Sequence, residues 1–351
     1  MGKKLSKHRL GTNQFTTFES SQSNAASGVG GASSGAGEPP SSSGLASQGE
    51  VIINRESIRS LALMNGLLYV GDTEGIVNVF DLEQKQQKET LKVHTKAVTR
   101  IVDGPDDSYF TASRDKSVSK RMLGITDGAK MEGHRLAVTA LAMKPDLAKV
   151  MSGSRDGNVT IWDTNTCLLE QQEEIARNIV TDIVWFDSSQ AIQCGEDKTV
   201  KLWDCRRLHV VDTFPMKQYF QSCCAVNDTQ LVTGSVGGNG RGCHVTLWDL
   251  RERREIVTLN GHEQSLSSVA YFTNRNNQLR IISIADDCYV KVWDPARQEC
   301  ACSFYVPGAQ GLTAMIQLSE DSFIIGSIQG ALYEVRYKCD PTEQIEITST
   351  M

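Results

Sequence analysis

No uninterrupted apolar run among the 351 residues reaches the roughly 18 positions that a membrane-crossing helix needs. The N-terminus also lacks the apolar core of an export signal, so the sequence predicts a soluble, cytoplasmic chain. A basic excess is missing: 36 Lys and Arg face 42 Asp and Glu, a net charge of −6 that argues against a nucleic-acid partner. The 10 cysteines include no C-x-x-C, the tightest spacings being Cys223-Cys224 and Cys300-x-Cys302. They read as reduced thiols, mostly small core hydrophobes, and no metal site is expected. There is no G-x-x-x-x-G-K-[ST], no G-x-S-x-G elbow between a strand and a helix, and no H-E-x-x-H. The glycine run from Gly237 to Gly242 misses the dinucleotide spacing and reads as a flexible hairpin tip. The expectation is a protein that is not an enzyme and takes neither cofactor nor small-molecule substrate.

What is present begins with a charge split. Lys3, Lys4, Lys7 and Arg9 place four positive charges and no negative one in the first nine residues, which leaves −10 on the rest. This basic arm, residues 1–19, opens with Met1-Gly2-Lys3-Lys4-Leu5-Ser6, the pattern for myristoylation at Gly2. One acyl chain binds membranes only marginally, and the four cations would add attraction to an anionic membrane surface. From Ser20 to Gly49, 22 of 30 residues are Ser, Gly or Ala. Such a stretch has too little apolar surface to offset its ordering entropy, so residues 20–50 read as a flexible linker of roughly 30 Å reach.

The remainder, residues 51–348, repeats itself. A short apolar strand recurs with anchors at Phe80, Arg121, Trp162, Trp203, Trp248, Trp293 and Val335, spaced by 41, 41, 41, 45, 45 and 42 residues. A typical unit runs from Val138-Thr139-Ala140-Leu141-Ala142 through Val150-Met151-Ser152-Gly153-Ser154 and the turn Arg155-Asp156-Gly157 to the Trp162 strand. A fourth strand near Leu168 leads onward. Four strands per period, a terminal Trp-Asp and an upstream Gly-His resemble the WD-repeat family. That resemblance implies an all-β, seven-bladed WD-repeat β-propeller carrying a disordered N-terminal arm.

The resemblance also gives the recurring polar residues a structural role. His134, Ser152, Asp156 and Trp162, and again His262, Ser283, Asp287 and Trp293, stand where WD repeats place a hydrogen-bonded tetrad. The second unit has His94, Thr111 and Asp115 but Arg121 in place of Trp, and the fourth has Gln193 at the Ser position. Two segments compete to complete the last blade: Val51-Ile52-Ile53 and Ile345-Glu346-Ile347.

Two functions fit. In the first, the chain is a membrane-tethered scaffold that binds proteins through the propeller. Ala112-Ser113-Arg114-Asp115, Arg177-Asn178-Ile179-Val180-Thr181 and Glu196-Asp197-Lys198-Thr199 are similar to WD-repeat adaptors linked to cilia and membrane trafficking. This implies a peripheral-membrane or ciliary location and GTPase-activating or trafficking proteins as partners. Turn residues Arg114, Lys116, Arg155, Glu196, Lys198 and Arg241 are the candidate contacts. In the second, the chain is a substrate receptor of a cullin-RING ubiquitin ligase. The W-D-x-R endings at Arg206 and Arg251 resemble the motif that faces the ligase adaptor.

Overall fold

The computed structural model describes residues 56–175, 178–215, 220–227, 229–339 and 342–350; the basic arm, the linker and residues 51–53 lie outside them. Among the described residues there are strands and turns but no helix. Twenty-eight strands form seven four-stranded antiparallel sheets, each made of four consecutive strands. The blades span 58–92, 98–132, 138–174, 180–215, 220–260, 266–305 and 312–350. The chain is an all-β, seven-bladed propeller. The C-terminal segment Gln344–Thr350 completes the seventh blade, with Ile347 opposite Val335 and Ile345 opposite Tyr337.

The sequence of each strand follows its distance from the ring axis. In the third blade, Val138–Met143, Lys149–Ser154 and Asn158–Asp163 are buried at nearly every position, whereas the outer Leu169–Glu174 is largely exposed. The first three strands are covered on both faces by neighbouring blades and so read as continuous apolar or small-residue runs. At the rim the wedges diverge and water reaches the outer strand, which can be Leu-Glu-Gln-Gln-Glu-Glu. The anchors have a geometric reason as well. In six blades the pairing of third and outer strands slips by one residue at the anchor, as between Ile161 and Trp162 or Val292 and Trp293, and in blade two it slips by two around Arg121. A bulge there increases the local twist, giving each blade its propeller pitch.

Blades meet at small residues. A Cβ on Gly153 would lie 2.3 Å from Val180 Cγ1 of the next blade, and one on Gly326 would lie 2.6 Å from Ile58 Cγ2. The second contact is the ring's seam, where the seventh blade meets the first. Hydroxyls add stitches between inner strands: Thr99 Oγ1 donates to Val138 O at 2.7 Å, and Ser60 Oγ accepts from Ile101 N at 2.9 Å.

An ion pair joins two blades that are not neighbours in the ring. Arg100, on the inner strand Val98–Asp103 of blade two, sets Nη2 3.3 Å from Asp182 Oδ1 on the inner strand Val180–Trp185 of blade four. It spans past blade three, and the two side chains are 1% and 3% exposed. Arg100 also donates to Thr99 O at 2.8 Å and Thr181 O at 3.3 Å.

Removing one partner of a buried pair leaves an uncompensated charge, at a cost of about 3–5 kcal/mol. Arg100→Met is expected to lower the unfolding free energy read from urea denaturation by that amount, and Arg100→Met with Asp182→Leu to recover most of it. A double variant no more stable than the single one contradicts the account. Gly326→Val should destabilise by about 1–3 kcal/mol through overpacking at the seam, read in the same titration; no change would show that the seam tolerates a side chain.

Candidate functional site

Two chains of hydrogen bonds fix the loops that carry the candidate residues. In blade three Trp162 Nε1 donates to Ser152 Oγ at 2.8 Å, and the Ser152 hydroxyl lies 2.7 Å from His134 Nε2. His134 Nδ1 is 3.4 Å from Asp156 Oδ2, long for a hydrogen bond, and Asp156 also accepts from the backbone of Arg135 at 2.6 Å and Asn158 at 2.8 Å. Blade six repeats the arrangement more tightly. Trp293 donates to Ser283 at 2.8 Å, Ser283 meets His262 Nε2 at 2.8 Å, and His262 Nδ1 meets Asp287 Oδ2 at 2.9 Å. Burial holds His262 below the usual imidazole range, with Asp287 opposing. Burial would raise Asp287, but hydrogen bonds from His262, Glu263 N and Tyr289 N keep it below the usual carboxylate range. A neutral imidazole donating from Nδ1 to a carboxylate satisfies every partner in the chain.

The variant tetrads keep part of this pattern. His94 meets Asp115 at 3.0 Å and Thr111 at 2.8 Å, while Arg121 turns to Ser119 Oγ at 3.0 Å and Thr126 O at 2.6 Å. In blade four Gln193 Oε1 takes the indole proton of Trp203 at 3.1 Å. Thr233 does so for Trp248 at 2.9 Å.

Because strands alternate in direction, every turn between second and third strands lies on one face of the ring, beside the loop that enters the same blade. The same backbone bond marks this position in six blades: Thr73 N to Ser57 O at 3.1 Å, Arg114 N to Ala97 O at 3.0 Å, Arg155 N to Ala137 O at 2.9 Å, and Glu196, Asp286 and Ile328 to Ile179, Ser265 and Gly311 at 3.0 Å. Arg114, Lys116, Arg155, Glu196 and Lys198 therefore share one face. Arg241 joins them from the long turn of blade five. That turn is held rather than free: Gly240 N donates to Glu263 O at 2.9 Å, Ser265 Oγ to Gly237 O at 2.8 Å, and a bridge pairs Gly238 with Gln264. A Cβ on Gly237 would fall 2.1 Å from Arg241 O, so the glycine serves close packing, and the flexible-tip reading does not hold. The structure adds two residues that the sequence reading missed. Lys96 and Arg135 sit on the entry loops of blades two and three, where Lys96 O accepts from Ser113 Oγ at 3.0 Å and Arg135 N donates to Asp156. Their signal in the sequence was their place just after a tetrad histidine, two residues past His94 and one past His134.

Arg206 and Arg251 lie on the opposite face, in turns between third and outer strands. Asp204 Oδ1 accepts from Arg206 N at 3.0 Å, and the guanidinium folds back onto the same carboxylate at 2.9 and 2.6 Å. Asp249 likewise accepts from Arg251 N at 2.9 Å. The Asp of each Trp-Asp pair thus caps its turn, which accounts for the motif without a ligase adaptor. The cysteines described are free thiols, and no group of three metal-capable side chains comes together among the described residues. Gly2, Lys3, Lys4, Lys7 and Arg9 lie outside them.

Comparison with known proteins fits this geometry. Residues 47–239 match the family model described as the nucleolar protein 10-like, N-terminal domain, and residues 253–294 match the WD domain, G-beta repeat. The chain is 25% identical over 295 residues to ribosome biogenesis protein YTM1 of Kluyveromyces lactis, covering 69% of this chain and 65% of that one. It is 23% identical over 278 residues to the ribosome biogenesis protein WDR12 homolog of Anopheles gambiae, covering 70% and 63%. The chain thus spans under two thirds of these relatives' length. The solved structure of U3-55K superposes with a TM-score of 0.67 at 18% identity, covering 78% of this chain and 89% of that one, which speaks to fold alone. The peripheral-membrane and ciliary location expected from the sequence is overturned by the nucleolar family model and the ribosome-biogenesis relatives. A six-residue acylation pattern and four cations are a short signal, and a basic arm suits any polyanion equally well.

Two outcomes follow from the site. Ser152→Ala strands both the Trp162 indole and the His134 imidazole and should cost about 1–3 kcal/mol in chemical denaturation; a loss below the error of the titration refutes the tetrad's role. Asp286 offers a pH test. Burial pushes its carboxyl up to about 6, with Arg59 opposing and Asp287 adding repulsion. A raised folded-state pKa penalises the fold when the group is ionised, fully above pH 6 and not below the unfolded value of 3.8. Asp286→Asn should therefore be more stable than wild type at pH 8 and equal to it near pH 3.5. An equal gain at both pH values contradicts this.

Proposed function

Because the chain belongs to the family of the nucleolar protein 10-like N-terminal propeller domain and carries WD repeats, we propose that it is a non-catalytic scaffold that works within a ribosome-assembly complex. The observation that carries the scaffold reading is the loop face itself. Six sequence-selected residues from four blades converge on one side of a rigid ring, their turns held by repeated backbone bonds. A propeller of this kind offers recognition through surface shape and charge, with the tetrads stiffening the loops that present them. The names of the relatives support ribosome biogenesis as the setting. The partners are other proteins of such a complex.

Sedimentation of nuclear extract from cells expressing the tagged full chain tests this. Wild type should travel with large ribonucleoprotein particles, Arg114→Glu with Arg155→Glu should shift it to the fractions of free protein, and Arg206→Glu with Arg251→Glu should leave it in place. A wild-type chain found only as free protein overturns the reading, as does recovery of a cullin-ligase adaptor that depends on Arg206 and Arg251.

A further inference from the structure

Charge is unevenly distributed over the loop face. Blades two and three carry Lys96, Arg114, Lys116, Arg135 and Arg155 on adjoining entry loops and turns, all exposed except the half-buried Arg114. Two carboxylates stand among them, Asp115 and Asp156, and both are held by tetrad histidines and backbone N–H groups. A net positive sector thus stands in a chain whose total charge is −6. The equivalent positions of blade six hold Glu263 and Asp286, with Arg241 and Arg59 nearby, so the basic excess does not run around the ring.

A second observation concerns Lys116. It has φ 79°, a left-handed conformation that side chains adopt at a cost; blades four and six keep Lys198 and Cys288 in the same region at φ 62° and 63°, while blades one, three and seven place Gly75, Gly157 and Gly330 there with φ 82° to 85°. Blade two keeps a lysine where glycine fits without strain.

We propose that this two-blade sector binds a short acidic segment of a partner protein, laid across the entry loops of blades two and three. The proposal rests on the scaffold reading above and adds the partner's chemistry. A short peptide matches a basic sector confined to two blades. An extended polyanion such as RNA would run on past it to Glu196, Glu263 and Asp286 on the same face. Electrostatic complementarity of this kind mainly sets partner choice and encounter rate, and salt screens it over about 10 Å at 0.1 M.

The test uses the full chain and a fluorescein-labelled octapeptide with four consecutive glutamates, its four-glutamine counterpart, and a 20-nucleotide oligouridylate, read by fluorescence anisotropy. The glutamate peptide should bind about tenfold more tightly than the glutamine one and weaken at 0.5 M salt. Lys116→Gly with Arg135→Gln should lower that affinity about tenfold while the melting temperature stays level or rises, since glycine relieves the strained turn; this separates lost binding from lost folding. Arg206→Gln with Arg251→Gln should bind as wild type does. The proposal is overturned if the two peptides bind alike, if binding survives the double substitution (which places the acid on the N-terminal arm), or if the oligouridylate outcompetes the peptide. Any of these results, with particle association still lost in Arg114→Glu with Arg155→Glu, would leave the scaffold reading standing without its acidic partner.

Discussion

The structure depends on one constraint: a four-stranded blade has two apolar faces and can bury neither alone. Each must lean on its neighbours, and the approach is so close that a Cβ at Gly153 or Gly326 would collide with the next blade. Order is therefore cooperative around the ring, and the seam between the seventh and first blades is the one junction whose two blades are not consecutive in the chain. The C-terminal strand Gln344–Thr350 completes the last blade from within. Closure is left to side chains such as Ile58, packed in one cluster with Leu312, Ile324 and Leu332. Arg100 and Asp182 add a tie between blades that are not neighbours in the ring.

Much of this was legible in the sequence because the repeat reports geometry that recurs. The Trp anchors are bulge positions, the aspartates beside them cap turns, and the serine and aspartate of both full tetrads sit 10 and 6 residues before the Trp. What was not legible is what fails to recur. The Arg100–Asp182 pair joins residues 82 apart and appears once. The glycine run of blade five looked loose because its order comes from the neighbouring entry loop, through Glu263 and Ser265. Lys96 and Arg135 drew no notice because the two loops of a blade are far apart in sequence and become one surface only when the tetrad joins them. The choice between the two closing segments needed the register of the last sheet, which alternation alone does not set.

The functional reading shifted for a related reason. The acylation pattern is a handful of residues at a terminus, whereas the family match rests on 47–239, more than half the chain. The first signal is short and its chemistry generic. The second integrates the spacing of several blades. On the propeller itself, residues chosen as turn charges converge on one face, and the arginines chosen for a ligase adaptor lie in turns on the other, each donating its backbone N to its own aspartate and Arg206 its guanidinium as well.

The central claim is that partner proteins meet the loop face over blades two and three. Lysine-directed cross-linking with mass spectrometry on the complex isolated from cells tests it most directly, because lysines mark both faces. Cross-links to other proteins should concentrate at Lys96 and Lys116, and be sparse at Lys85 and Lys144 on the opposite side. Cross-links gathered at Lys85 and Lys144 instead, with Lys96 and Lys116 unmodified by any partner, would contradict the account.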